Sequence, residues 1–132
     1  VITDKRIRIE DHLAARTDPD NGAVVVFAGV VRADERGGRR VTRISYECYH
    51  EMARREMAGL LDEVRDETGV SDIQLVHRVG DVPVGDISLL VVVTAGHRGE
   101  AYEASRKVVE EVKRRVPIWK KEIYDDESGR WV

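Results

Sequence analysis

A chain of 132 residues, 42% hydrophobic and 36% charged, is long enough to bury one core, and its longest apolar run, Ile87–Ala95, is far shorter than the ~20 residues a membrane-crossing helix needs. Its 22 basic residues against 25 acidic ones give a net charge of -3, which excludes the global positive field of a nucleic-acid or membrane-surface binder and confines any anion site to a local patch. The lone Cys48 excludes an internal disulfide and the first sixteen residues lack a continuous apolar centre, so the expectation is one cytoplasmic domain over residues 1–132.

In chain order, Ile7 and Ile9 alternate with Arg6 and Arg8 and predict a short strand, after which Asp11 is placed to cap a brief helix ending before the turn-rich residues 18–22. Residues 22–32 (GAVVVFAGVVR) are apolar on both faces, which predicts a central strand covered on two sides. Residues 34–40 (DERGGRR) read as a mobile loop. Residues 41–50 (VTRISYECYH), rich in β-branched and aromatic types, predict a strand with Ile44, Tyr46 and Cys48 on one face. From 51 to 68, Ala53, Met57, Leu60, Leu61 and Val64 recur at helical spacing, and Gly69 stands where a helix cap belongs.

Ile73, Leu75, His77 and Val79 then alternate as a strand, residues 80–86 break the pattern, and Ile87–Ala95 forms another strand. A second helix over 99–115 buries Ala101, Ala104, Ser105, Val108, Val109 and Val112, and Pro117 forces Val116 out of helical geometry before a final strand over 118–124. The order β-α-β-β-α-β-β-α-β is that of an α+β sandwich.

Two segments concentrate positive charge beside ordered elements. Residues 95–99 (AGHRG) join a buried strand to a helix start, where free N–H groups and the helix dipole favour an anion; the same glycines equally serve a plain turn with solvated His97 and Arg98. Residues 113–122 carry Lys113, Lys120 and Lys121, which converge only if the chain turns at Pro117; cations in a last helical turn also simply complement the dipole. Arg32 closes the first core strand. Cys48 shares a face with apolar neighbours and reads as a buried structural thiol. His12, His50, His77 and His97 have no metal-ligand spacing, and neither a P-loop nor a dinucleotide glycine motif occurs.

The set GAVVVFAGVVR, YECYHEMA, HRVGDVPVGD, TAGHRGEAYEA and VKRRVPIWKKE, in this order, resembles the molybdopterin synthase large-subunit family over residues 22–131. The resemblance implies an α/β hammerhead-type fold, a homodimer of large subunits, and two small ubiquitin-like subunits completing a heterotetramer. It implies no cofactor. The partner's Gly-Gly tail, carrying a terminal thiocarboxylate, would supply two sulfurs to cyclic pyranopterin monophosphate, forming the molybdopterin dithiolene.

Carried over by position, the substrate contacts are Val30, Val31, Arg32, His97, Arg98, Lys113, Lys120, Lys121 and Glu122, with Lys113 and Lys120 the catalytic pair. Gly99 and Glu100 depart from the small hydroxyl residues of the family pattern, and that pattern continues past Val132 in a basic tail. The rival expectation is a non-catalytic module binding a ubiquitin-like tail or a phosphorylated metabolite.

Overall fold

The computed structural model describes residues 1–13 and 18–132. The elements are β1 (Ile2–Thr3), a 3-10 turn (Ile9–His12), β2 (Ala23–Val30), β3 (Glu35–Arg36), β4 (Arg39–Cys48), α1 (His50–Thr68), β5 (Asp72–Arg78), β6 (Gly80–Pro83), β7 (Ile87–Ala95), α2 (Arg98–Arg115), β8 (Ile118–Tyr124) and β9 (Gly129–Trp131). One sheet has the order β1-β5-β7-β2; in the other, β3-β4-β8-β9, strand β6 also pairs with β4. All pairings are antiparallel except β1 with β5. The α+β class is as expected, and no helix is long and apolar enough to cross a membrane.

Both helices lie on one face of the first sheet, because their apolar stripes bury there. Ala53, Met57, Leu60 and Val64 of α1, with Ala101, Ala104, Val108 and Val112 of α2, pack on Leu75, Val91 and Val93. Gly69 ends α1 with φ 74, a left-handed conformation that glycine adopts without Cβ strain, and its N–H returns to the Arg65 carbonyl. Arg115 of α2 then clamps Glu63 of α1 at 2.6 Å, tying the helices along their solvent side.

Several expectations need correction. Residues 6–9 form no strand; β1 is Ile2–Thr3, and Ile7 instead packs with Val76, Leu90 and Val92 on the sheet face opposite the helices. Asp11 lies inside the 3-10 turn rather than capping a helix, and the remainder of that expected helix lies outside the described residues. The segment read as a mobile loop is a hairpin: Gly37 and Gly38, with φ 59 and 77, make the tight turn, and Arg36 pairs with Arg39. The expected break at 80–86 contains β6, which enters the second sheet at Gly80 (φ 82).

Strand β2 departs most from expectation. It is an edge strand, not a central one. Val25 and Phe27 pack toward the helices, yet Val24, Val26 and Val30 remain 43%, 38% and 49% exposed. An apolar run records that both faces avoid water; it does not record whether this chain alone covers them.

Candidate functional site

The two sheets meet at a cleft of about 590 Å³ built from β2, β4, β7, β8 and the C-terminal end of α2. Its first wall is the end of β2. The β2–β7 register shifts between Gly29 and Val30, and the chain is then pinned by Val31 N–H to the Asp86 carbonyl at 3.1 Å and Gly85 N–H to the Val31 carbonyl at 2.9 Å. Val30 and Val31 thereby line the cleft, and Arg32 follows with its side chain 82% exposed, 3.5 Å from Asp34.

The opposite wall comes from the turn at Pro117. Val116 adopts φ -84 and ψ 127, as the residue before proline requires, so α2 ends at Arg115 and the chain reverses into β8. That reversal brings Lys113, in the last turn of α2, and Lys120, on β8, into the same cleft. Alternation along β8 then sorts the neighbours. Lys120 and Glu122 line the cleft, whereas Lys121 points away, its ammonium 5.4 Å from the Trp131 ring.

Charge is distributed unevenly here. Glu122 is 5% exposed and doubly bonded: Arg36 Nε–H donates to Oε1 at 2.7 Å and Tyr124 O–H to the same oxygen at 3.0 Å. Burial pushes this carboxyl upward, but the Arg36 and Tyr124 hydrogen bonds overcome it and hold the group below the usual carboxylate range. Lys113 and Lys120, both exposed, have no ion pair or side-chain hydrogen bond among the described residues. Two uncompensated ammonium groups in one cleft favour an anionic guest.

His97 and Arg98 lie elsewhere in this chain. They start α2 while Lys113 ends it, about 22 Å away at 1.5 Å per residue. Glu100 reaches back over that helix start, accepting from the His97 N–H at 2.9 Å and lying 3.2 Å from His97 Nδ1. Its carboxylate satisfies the His97 N–H from within the helix.

The sequence expectations omitted His77, Tyr46, Ser88, Asp34 and Arg36, which also line the cleft. His77 Nδ1 lies 2.8 Å from the Arg78 carbonyl, which can only accept, so Nδ1 carries the proton. The ring stacks edge-on against Tyr46 at 5.1 Å. A histidine at an inward position of an alternating strand was the available signal.

Burial lowers the His77 pKa, and the Arg78 bond opposes this without overcoming it. A native pKa below the unfolded value of about 6.5 means that the unfolded chain takes up a proton first. The resulting stability is present above that value and is lost as pH falls through the native pKa. Urea midpoints should therefore decline below about pH 6.5, and His77→Asn should flatten that decline while lowering the midpoint at neutral pH; equal slopes in both proteins contradict the assignment.

A second cleft, about 660 Å³, shares Tyr46 and Trp119 with the first. Its one arginine, Arg54, faces Glu51 at 3.6 Å, and the cleft also contains Asp4 and Glu47. Burial pushes the Cys48 thiol there upward, with Arg54 opposing, which keeps it a poor nucleophile.

Fold and site together define an α+β protein with a lysine-bearing cleft at the junction of two sheets. The MoaE protein family model matches residues 2–115. The molybdopterin synthase catalytic subunit of Pyrococcus abyssi is 44% identical over 94% of this chain and 82% of its own length. That of Thermoplasma volcanium is 40% identical over 98% and 94%. The crystal structure of molybdopterin synthase from Staphylococcus aureus superposes with a TM-score of 0.91 at 35% identity, covering 99% of this chain and 94% of that one. The chain belongs to the MoaE protein family, that of the molybdopterin synthase catalytic subunits, and is an enzyme subunit of molybdenum cofactor biosynthesis.

Proposed function

We propose that this cleft transfers sulfur from the C-terminal thiocarboxylate of a small ubiquitin-like partner subunit to cyclic pyranopterin monophosphate, yielding the molybdopterin dithiolene. The observation that carries the proposal is the pair of ammonium groups, Lys113 and Lys120, unpartnered among the described residues and lying beside Arg32 in one cleft. Donor and acceptor are both anions, and without fixed positive charge their mutual repulsion opposes the encounter. Lys113 and Lys120 orient the thiocarboxylate and assist proton transfer, and Arg32 contacts the phosphate. In each transfer the sulfur bonds to a side-chain carbon of the pterin as a carbon–oxygen bond at that carbon breaks, the oxygen leaving as water or staying on the opened phosphate. Water then hydrolyses the acyl–sulfur bond, and the tail departs as a carboxylate. Val30, Val31 and Glu122 shape the pocket around the substrate, whereas Lys121, turned to the reverse face of β8 against Trp131, takes no part in this cleft.

The enzyme acts as a homodimer in this reading, and a second copy supplies His97 and Arg98. The exposed edge of β2, with Val24, Val26 and Val30, supports it. Two copies paired antiparallel along β2 about a two-fold axis set Ala23 of one opposite Val30 of the other. Ala95 is the register partner of Ala23, so His97 and Arg98 follow at that end, about two strand spacings (~10 Å) from the other copy's Val30 and Arg32. They then complete the phosphate contact.

The reconstituted reaction tests the proposal. This chain, a thiocarboxylated small subunit and cyclic pyranopterin monophosphate should together form a dithiolene-bearing pterin, and the unmodified carboxylate form of the small subunit should form none. Binding of either reactant without product would leave a binding module in place of an enzyme.

A further inference from the structure

Glu122 presents a difficulty for any anion bound by Lys120. The two residues alternate onto one face of β8, and a lysine side chain is long enough to reach a carboxylate two residues along the same strand face. A buried carboxylate that lacks a counter-ion strongly attracts the nearest free cation. Yet among the described residues Lys120 is unpaired, and Glu122 is satisfied from elsewhere.

The satisfying group comes from the short β3–β4 hairpin. Its tight turn fixes Arg36 opposite Arg39, and the two arginines grip β8 together: Arg36 on the Glu122 carboxylate at 2.7 Å, Arg39 over the Tyr124 ring at 4.8 Å. Asp34, 4.0 Å from Arg36 and 3.5 Å from Arg32, links the hairpin to the end of β2. The other charged groups near Glu122 are Arg130 from β9, Lys120 two residues along the same face of β8, and Arg32, Asp34 and Lys113 in the same cleft. Arg130 is exposed and makes no ion pair among the described residues, so Arg36 is the cation in direct contact.

We infer that Arg36 is a positioning residue of the active site: by holding and neutralising Glu122 it keeps that carboxylate off Lys120, leaving the ammonium groups of Lys113 and Lys120 free for an anionic reactant. The inference rests on the proposed function for what the anion is, but the internal arrangement it describes does not depend on that. Without Arg36, the Lys120 side chain swings toward Glu122 and the cleft loses one of its two free cations. Removing the carboxylate as well releases Lys120 again.

The experiment compares the full chain with Arg36→Ala, with Arg36→Ala/Glu122→Gln, and with Arg40→Ala, which removes an equal charge from the same hairpin, from a side chain paired to Glu35 and not to Glu122. Two readouts are taken: affinity for inorganic phosphate, and the rate at which an amine-acylating reagent modifies Lys120, followed by mass spectrometry. Arg36→Ala should weaken phosphate binding about tenfold, the scale of one charge pair at partial exposure, and slow acylation of Lys120. The double variant should restore both, and Arg40→Ala should change neither.

Unchanged Lys120 acylation in Arg36→Ala overturns the inference. So does a double variant as impaired as the single one, since Arg36 would then touch the anion itself, and so does an equal effect of Arg40→Ala, which would reduce Arg36 to a diffuse field. If the unaltered chain binds no phosphate, the phosphate contact of the proposed function fails, and the acylation arm still decides the role of Arg36. Should Arg36→Ala fold poorly, Arg36→Gln supplies the same comparison with the hairpin side chain retained.

Discussion

Replacing Lys113 or Lys120 with alanine should lower the single-turnover rate of sulfur transfer by about 10²–10³-fold each, the loss typical of removing one fixed charge or donor from a reacting centre. Neither change should disturb folding. Both side chains are exposed and neither makes an ion pair or hydrogen bond among the described residues, so truncation leaves no buried group unsatisfied and costs within about 0.5 kcal/mol. This separation of effects is what makes the test informative. The mutations are not equivalent, because Lys113 sits on the last turn of α2 and Lys120 on β8, facing each other across the Pro117 reversal. If the lysines orient one reactant between them, the double variant should lose little more than either single one. Near-normal rates with both single variants would remove the lysines from the mechanism, and fully additive losses would assign them to separate steps.

The parts of this architecture visible in the amino-acid sequence are those where local pattern and tertiary packing agree. Helix α1 is the plainest case: its apolar stripe, its polar remainder and Gly69 at its end all state the same thing, and it forms where expected. Strand β5 likewise carries its own alternation, and β7 is apolar along nearly its whole length, as a strand covered on both faces is. The failures are pairings that only the assembled sheet decides. Strand β6 is four residues containing Pro83, tolerated because it lies along one side of β4, and β9 is three exposed residues held against β8. Nothing local announces either.

The site divides in the same way. Pro117 announced a reversal, and the reversal brings Lys113 and Lys120 together; alternation turns Lys121 outward, a consequence of strand geometry available from the start. Arg36 was hidden because its role comes from a partner 86 positions away, reached through a glycine turn that resembled a loop. His97 and Arg98 stand apart from the other cations because α2 separates them, a rigid distance no side chain spans.

That distance yields the second large expected effect. If a two-fold partner brings His97 and Arg98 to each cleft, each active site is made from two chains, and a chain altered in one half can be repaired by a chain altered in the other. Arg98→Ala and Lys113→Ala should each be nearly inactive alone. Co-expressed, they assort into dimers of which about half contain one chain of each kind, and each mixed dimer holds one site with both lesions and one site with neither. The mixture should therefore recover about a quarter of the unaltered activity per site, against almost none for either parent. Recovery of this kind cannot arise where each chain carries a whole site, because every cleft would then keep its own lesion. The same symmetry makes a second demand on β2. Val26→Asp, at the middle of the exposed apolar edge, should leave the helix-packed core intact while splitting the dimer in sedimentation, and should abolish the recovery along with it. An active Val26→Asp monomer, or a co-expressed pair no more active than its parents, would return His97 and Arg98 to the solvent side of α2, with no part in the cleft.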